Sequence, residues 1–261
     1  MEYGAITGYI DVAQVVLYAF WIFFAGLIYY LHRENKREGY PLVSDNAIGK
    51  IVQGFPTIPA PKAYHLHDGR TVYAPRPEAA QPDLSKHRNA NNWIGEPIDP
   101  VGNPMVEAVG PGAYAMRQDA PDMTWDARVP KLVPLRADPE YHIDAEDPDP
   151  RGMPILGVDN VQGGTVVDVW VDRSEVILRY LEVEVAAAFG GGRALVPMTL
   201  ATISDGAVPH VRVVSITGAQ FSDIPGLSSP DQVTLREEDQ ISAYFGGGTL
   251  YATPSRVEPL I

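Results

Sequence analysis

VAQVVLYAFWIFFAGLIYYL, residues 12–31, contains no charged side chain, and HRENKR, residues 32–37, follows it directly. As a helix at about 1.5 Å per residue the run spans roughly 30 Å, the thickness of a bilayer's hydrocarbon core. Eleven of its residues are Val, Leu, Ile or Phe. At roughly −0.3 to −0.6 kcal/mol apiece their insertion gains about 5 kcal/mol, and Gln14 alone opposes it strongly. Trp21, Tyr29 and Tyr30 bring amphipathic rings, the last two near one water interface. The run therefore reads as a transmembrane helix. A cleaved signal peptide would carry positive charge ahead of its apolar stretch and small residues behind it. Here Glu2 and Asp11 come first and Tyr29-Tyr30-Leu31 ends the run. By the positive-inside rule Arg33, Lys36 and Arg37 put the C-terminal side in the cytoplasm and leave residues 1–11 outside as a short tail.

Beyond this anchor about 220 residues remain, enough for one fairly large domain or two small ones. The chain carries 20 Lys and Arg against 33 Asp and Glu, a formal net charge of −13. Nucleic acid is disfavoured as a partner, because binding it takes a basic face. There is no cysteine, which excludes disulfides, Cys-based zinc sites, iron–sulfur clusters and thiol nucleophiles.

Outward from the anchor, residues 32–42 form a basic juxtamembrane collar in which Gly39-Tyr40-Pro41-Leu42 is expected to stop the helix. Residues 43–150 are dense in Pro, Gly, Asn and Asp, an extended segment better suited to lying on another protein than to a core of its own. Within it, Tyr64–His67 and Arg70–Tyr73 read as a hairpin about Asp68-Gly69. Asp147-Pro148-Asp149-Pro150-Arg151-Gly152 marks a boundary, and from residue 151 strands dominate. In Gly164–Asp172, alternation puts Val167, Val169 and Val171 on one face and Asp168, Trp170 and Asp172 on the other. Arg179–Val185 alternates likewise, after a turn near Arg173-Ser174. Ala194–Pro197, Val211–Ile216 and the weaker Ala207-Val208 are further strand candidates. Short alternating strands with Gly-rich turns predict a small antiparallel barrel or sandwich. One helix closes the chain: Thr234-Leu235-Arg236-Glu237 has the form of a capping box, Ile241 and Phe245 form its apolar stripe, and Gly246-Gly247-Gly248 is its expected stop.

No P-loop, dinucleotide fingerprint or nucleophile elbow is present. His65 and His67 would share a strand face as a possible metal pair, but no third ligand stands at a readable spacing, and His210 reads as structural. The carboxylates Asp168, Asp172, Glu175, Glu182 and Glu184 lie close in sequence to Arg173 and Arg179. If a partner covers that surface, desolvation raises some of these acids toward neutrality while the arginines lower others, and such a set can pass protons. If the surface is wet they are ordinary exposed strand acids, the reading that composition alone favours.

Several stretches together resemble the H subunit of the purple-bacterial photosynthetic reaction centre. They are Asp11-Val12-Ala13-Gln14, Arg37-Glu38-Gly39-Tyr40-Pro41-Leu42, Gly102-Asn103-Pro104 with Val109-Gly110-Pro111, and Asp149-Pro150-Arg151-Gly152-Met153-Pro154. Val169-Trp170-Val171-Asp172, Tyr180-Leu181-Glu182-Val183-Glu184 and Arg236-Glu237-Glu238-Asp239 through Gly247-Gly248 to Leu250-Tyr251-Ala252 continue the series, in the family's order and along essentially the whole chain. The resemblance implies a single transmembrane helix (12–31) with a periplasmic N-terminal tail, in the inner, intracytoplasmic membrane. It implies a mainly-β cytoplasmic domain of the PRC-barrel type over residues 151–261, ending in one helix. It also implies a non-catalytic subunit that caps the L and M subunits, stabilises them and helps deliver protons to the secondary quinone. Bacteriochlorophyll, bacteriopheophytin, quinones, non-haem iron and carotenoid would reside in partner subunits. A cytochrome subunit, a light-harvesting antenna and membrane lipids are further expected neighbours.

Glu175 matches the family's buried proton-transfer glutamate, with Asp172 and Arg179 as its neighbours and Asp168 in the same carboxylate set. A pair of histidines marks the proton mouth in the best-studied branch of the family. Met123-Thr124-Trp125-Asp126-Ala127-Arg128 stands there instead, so either protons enter through Asp122, Asp126 or another acid or the mouth has moved, and Gln232 replaces a glutamate. The alternatives are a membrane-tethered PRC-barrel binding or assembly module unrelated to photosynthesis, and a metal-dependent enzyme built on His65 and His67. Arg33, Lys36 and Arg37, with Trp21, Tyr29 and Tyr30, are the expected lipid and interface residues.

Overall fold

A computed structural model of the chain describes residues 4–44, 50–75, 84–89 and 98–257. Packing divides it into two compact units, residues 1–83 with 90–97 and residues 84–89 with 98–261. The stretch 43–150 is thus shared between the two.

The first unit opens with α1, Val12–Asn35. Asp11 caps it reciprocally with Gln14: the Gln14 amide donates to Asp11 Oδ1 at 2.7 Å and the Asp11 amide to Gln14 Oε1 at 3.2 Å. The one strongly polar residue of the apolar run therefore satisfies a free helix-end N–H. No residue of α1 is buried within the chain, and the helix is long and apolar enough to cross a membrane. It runs a turn past Leu31 and stops at Lys36, whose N–H turns back to Arg33 O and Glu34 O. Gly39-Tyr40-Pro41 follows that end and does not make it.

Lys36, 3 % exposed, donates from Nζ to Gln53 O and Pro56 O, both at 2.6 Å. Arg37 forks onto the Glu34 carboxylate and reaches Ala60 O at 2.6 Å and Ala74 O at 3.1 Å. These two cations tie the returning chain to the helix end. Gly54 has φ +64°, and a Cβ there would sit 3.3 Å from Lys36 Nζ, so the closure needs a residue without a side chain. Strands β1 (Leu42–Val43) and β2 (Ile51–Val52) pair antiparallel, as do β3 (Lys62–His65) and β4 (Thr71–Ala74). The β3–β4 pair is the hairpin expected about Asp68-Gly69. His67 falls in its turn, so His65 and His67 do not share a strand face.

In the second unit β5 (His87–Asn89) pairs with β6 (Ile98–Pro100). A seven-stranded sheet is built from β7 (Leu132–Pro134), β8 (Pro154–Leu156), β9 (Gln162–Asp172), β10 (Ile177–Val185), β11 (Arg193–Pro197), β12 (Ala201–Ser204) and β13 (His210–Val213). Its order is β11-β10-β9-β8-β13-β12, antiparallel throughout except for the parallel β8–β13 pair. β9 is long enough to pair β8 near its start and β7 at its end, both on the edge opposite β10. β7, β8 and β12 were not visible as strands. The candidate Ala207-Val208 is a bend, and β13 ends at Val213, three residues short of the expected Ile216.

Strict alternation fails along β9 and β10, because the register slips at Arg179 and at Val167. Each slip leaves one residue unopposed, turning its side chain and kinking the strand. Asp168, Val169, Trp170, Val171 and Asp172 are, moreover, all buried by this chain alone, so neither face of that segment is wet. The core gathers around Trp170, Leu181, Leu195, Ile155, Phe221, Tyr244 and Phe245.

Helix α2, Leu235–Tyr251, starts on the expected box. The Glu237 amide donates to Thr234 Oγ1 at 3.1 Å and the Thr234 amide to Glu237 Oε2 at 2.8 Å. Ile241 and Phe245 are fully buried as predicted. Gly246-Gly247-Gly248 does not end the helix, which passes through all three. A Cβ on Gly247 would lie 3.2 Å from Gly112 Cα, and one on Gly248 would lie 2.6 Å from Ile216 Cγ2 and 2.7 Å from Ser215 O. The glycines are there for close approach of backbones, which offsets their roughly 1 kcal/mol helix penalty.

Candidate functional site

The turn between β9 and β10 is made by Asp172. Its Oδ1 accepts the amides of Ser174 at 2.9 Å and Glu175 at 3.1 Å, a side-chain turn of the kind Asp favours. Its Oδ2 faces Arg179 and Lys131, each at 3.3 Å. Glu175, half exposed at the turn, bonds Arg179 at 2.6 Å and lies 3.8 Å from Lys131. The unopposed register position of Arg179 turns its guanidinium to both acids. The expected set Asp172, Glu175 and Arg179 is therefore one cluster, completed by Lys131.

Lys131 reaches the cluster because its amide donates to Asp122 O at 2.8 Å, and its carbonyl accepts from the Arg173 amide at 2.9 Å. Between Asp122 and Lys131 the chain makes a loop closed by the Thr124 amide donating to Val129 O. The preceding residues lie along the start of α2, where the amides of Leu235 and Arg236 donate to Ala120 O and Gln118 O. A cavity of about 210 Å³ results, lined by Arg117, Asp122, Lys131, Asp172, Arg179 and Glu238 together with Leu132 and Leu235. Asp122 thus belongs with the cluster. Asp126 sits exposed in the loop and outside that lining; the Ala127 amide, its largest influence, holds its carboxyl below the usual range.

Glu238 was missed, since in Glu237-Glu238-Asp239 it reads as a first-turn acid. Burial, the largest influence, pushes its carboxyl upward; Asp122 adds to this, while Arg117, the Tyr180 hydroxyl and Lys131 pull the other way. Tyr180 Oη donates toward Glu238 at 3.5 Å and is itself pushed up to about 12, by burial first and then by that carboxylate.

Asp168 belongs to a second group. Arg136, in the turn after β7, places one guanidinium nitrogen 3.0 Å from Asp168 and 2.5 Å from Glu182, the two acids that face each other across β9 and β10. Trp170 Nε1 donates to Glu182 at 3.0 Å, and Arg193 holds its other oxygen. Burial works to raise Glu182, but the combined Arg136, Arg193 and Trp170 bonds leave its carboxyl below the usual range. Glu184, by contrast, is exposed. Arg136 and Lys131 flank the short strand β7 in a proline-rich stretch, and no local pattern pointed to them.

At the end of α1, Lys36 and Arg37 are engaged within the chain, as described. Arg33 is exposed and its side chain makes no hydrogen bond among the described residues, and Trp21, Tyr29 and Tyr30 are exposed. No group of three or more His, Asp or Glu side chains that could hold a metal ion occurs among the described residues.

A membrane-length helix joined to a mainly-β domain that closes with one helix defines a membrane-anchored β-domain protein, and residues 144–217 match the PRC-barrel domain family. Residues 4–137 match the family model described as photosynthetic reaction centre, H-chain N-terminal region. The chain belongs to the reaction centre H-chain family. It is accordingly a structural subunit and not an enzyme in itself, single-pass, of a family that does not bind pigment. Membership implies association with the L and M subunits.

Proposed function

We propose that the chain stabilises L and M from the cytoplasmic side of the intracytoplasmic membrane, with its N-terminus periplasmic, and conducts protons from cytoplasmic water to the secondary quinone. The observation that carries this reading is the cluster at the β9–β10 turn. Asp172 is wholly buried, Glu175 is half exposed three residues later, and Lys131 and Arg179 stand between them. Protons do not cross a protein as free ions; a relay takes acids spaced for hydrogen bonds or bridging waters. Glu175 has one side in water and one on the cluster, the position a relay acid needs. The pigments, quinones and iron belong in this reading to the partner subunits, and a cytochrome subunit and antenna are further neighbours. Arg33 is the collar cation left to meet anionic lipid.

Glu175→Gln in the assembled complex is expected to slow second-electron transfer to the quinone, the step coupled to protonation, while primary charge separation is unchanged. Flash-induced absorbance measures both. An unaltered second-electron rate removes Glu175 from the dominant path.

A further inference from the structure

Three consecutive acids open α2, and they are used in three different ways. Glu237 is closed: its two oxygens accept the amides of Ser228 at 2.7 Å and Thr234 at 2.8 Å. Asp239 pairs with Arg117 at 3.2 Å. Of the three, Glu238 lines the cavity of about 210 Å³, and among the described residues its carboxylate accepts only the long 3.5 Å contact from Tyr180 Oη. The cavity is polar. Asp122 sits on its exposed rim, Asp172 and Arg179 line it from the β9–β10 turn, and Lys131 and Arg117 line it from the segments beside α2. At roughly 30 Å³ per molecule in the liquid, a space of that size takes several waters.

We propose that Glu238 is a proton-holding station between Asp122 on the exposed rim and the buried Asp172, which shares its cations with Glu175. The inference rests on the proton-conducting reading above and extends it to a residue outside the expected set. In the step assigned to it, the carboxylate of Glu238 takes a proton from water at the Asp122 rim. It then releases that proton through cavity water toward the Asp172–Glu175 pair, returning to carboxylate, so charge and protons balance without a co-reactant.

The groups that act on the Glu238 carboxyl pull in opposite directions, with burial giving a net push upward. Burial and Asp122 favour the neutral acid, while Arg117, Lys131 and the Tyr180 hydroxyl favour the anion. Neither Glu182 nor Asp126 has that balance, since both are held low. Tyr180 positions the carboxyl and keeps its own proton, being pushed up to about 12.

The test is Glu238→Gln in the assembled reaction centre, beside Glu238→Asp and Glu175→Gln. Glu238→Gln is expected to slow the proton-coupled second-electron step by roughly a hundredfold, the low end of what a positioned proton donor contributes. It should also flatten the pH profile of that step, and Glu238→Asp should restore part of both. Light-minus-dark infrared spectra should lose a protonated-carboxyl band that shifts in D2O. Tyr180→Phe should shift that band without removing it. An unchanged rate and pH profile in Glu238→Gln, with Glu175→Gln still slow, overturns the inference and spares the wider reading. Unchanged rates in both variants overturn the wider reading with it. If Glu238→Gln does not assemble, the band in Glu238→Asp and Tyr180→Phe decides the matter, and an unmoved band in both is the negative result.

Discussion

The two charge groups on β9 and β10 are built from the same residue types on the same pair of strands, yet one is closed and the other open. Around Arg136 each buried carboxylate has its oxygens occupied: Glu182 by Arg136, Trp170 and Arg193, and Asp168 by the Arg136 side chain and by backbone amides. The space beside it, about 320 Å³, is lined by Ala194, Leu195, Leu227 and Pro230 with two serines, and its only acid is Glu182. Around Lys131 and Arg179, Asp172 and Glu175 share both cations, Asp122, Asp172 and Glu238 line one polar cavity, and burial pushes Glu238 upward. Burial of a carboxylate therefore does not identify a relay. What separates the groups is whether each acid is saturated with donors and whether a second acid faces it across space that water can fill.

The largest expected effect that would break this contrast is on stability, in the closed group. Arg136→Met keeps volume but removes the cation shared by two buried carboxylates that face each other across the ladder. Thermal or urea unfolding of the full chain in detergent should show a loss of about 3 kcal/mol. A loss under about 1 kcal/mol would mean the group is not the closed staple described.

The next effect is one of pH. Glu182 has a lowered folded-state value, so its contribution is fully present above its unfolded value, roughly 4.3, and is lost as pH falls through the folded one. The melting temperature should fall below about pH 4, and more steeply in the unsubstituted chain than in Arg136→Met. Parallel pH curves for the two would count against the assignment. The smallest effect belongs to Arg193, whose side chain is 58 % exposed. Arg193→Ala should cost less than about 1 kcal/mol by the same unfolding measurement, because Arg136 and Trp170 remain on Glu182. A cost near that of Arg136→Met would make the two cations equivalent.

Legibility in the sequence followed how local each signal is. The twenty-residue apolar run, the capping box at Thr234 and Glu237, and the alternating strands β9 to β11 are written in neighbouring residues, and the structure places them there. β7, β8 and β12 are three or four residues long, two of them with proline at an end, too short to display a period. The face assignment along β9 and β10 failed at Val167 and Arg179 because a bulge is set by pairing with another strand, which no single segment reveals. Gly246-Gly247-Gly248 looks like a terminator, and only the nearby backbones of Gly112 and Ser215 explain why the helix tolerates it. The acids of the site were legible as a cluster. Their cations Lys131 and Arg136 were not, since each lies more than thirty residues from the acids it meets.

Lys36 is presented to the cell at two stages with different meanings. While the chain is being inserted it has no fold, and the ammonium counts as one of the charges that keep its end of the helix from crossing. Once Nζ closes on the carbonyls of Gln53 and Pro56 it is withdrawn from both water and lipid. In the proposed orientation, folding thereby erases the label that directed insertion and turns it into a lock. Reversing the topology afterwards would first require that lock to be undone.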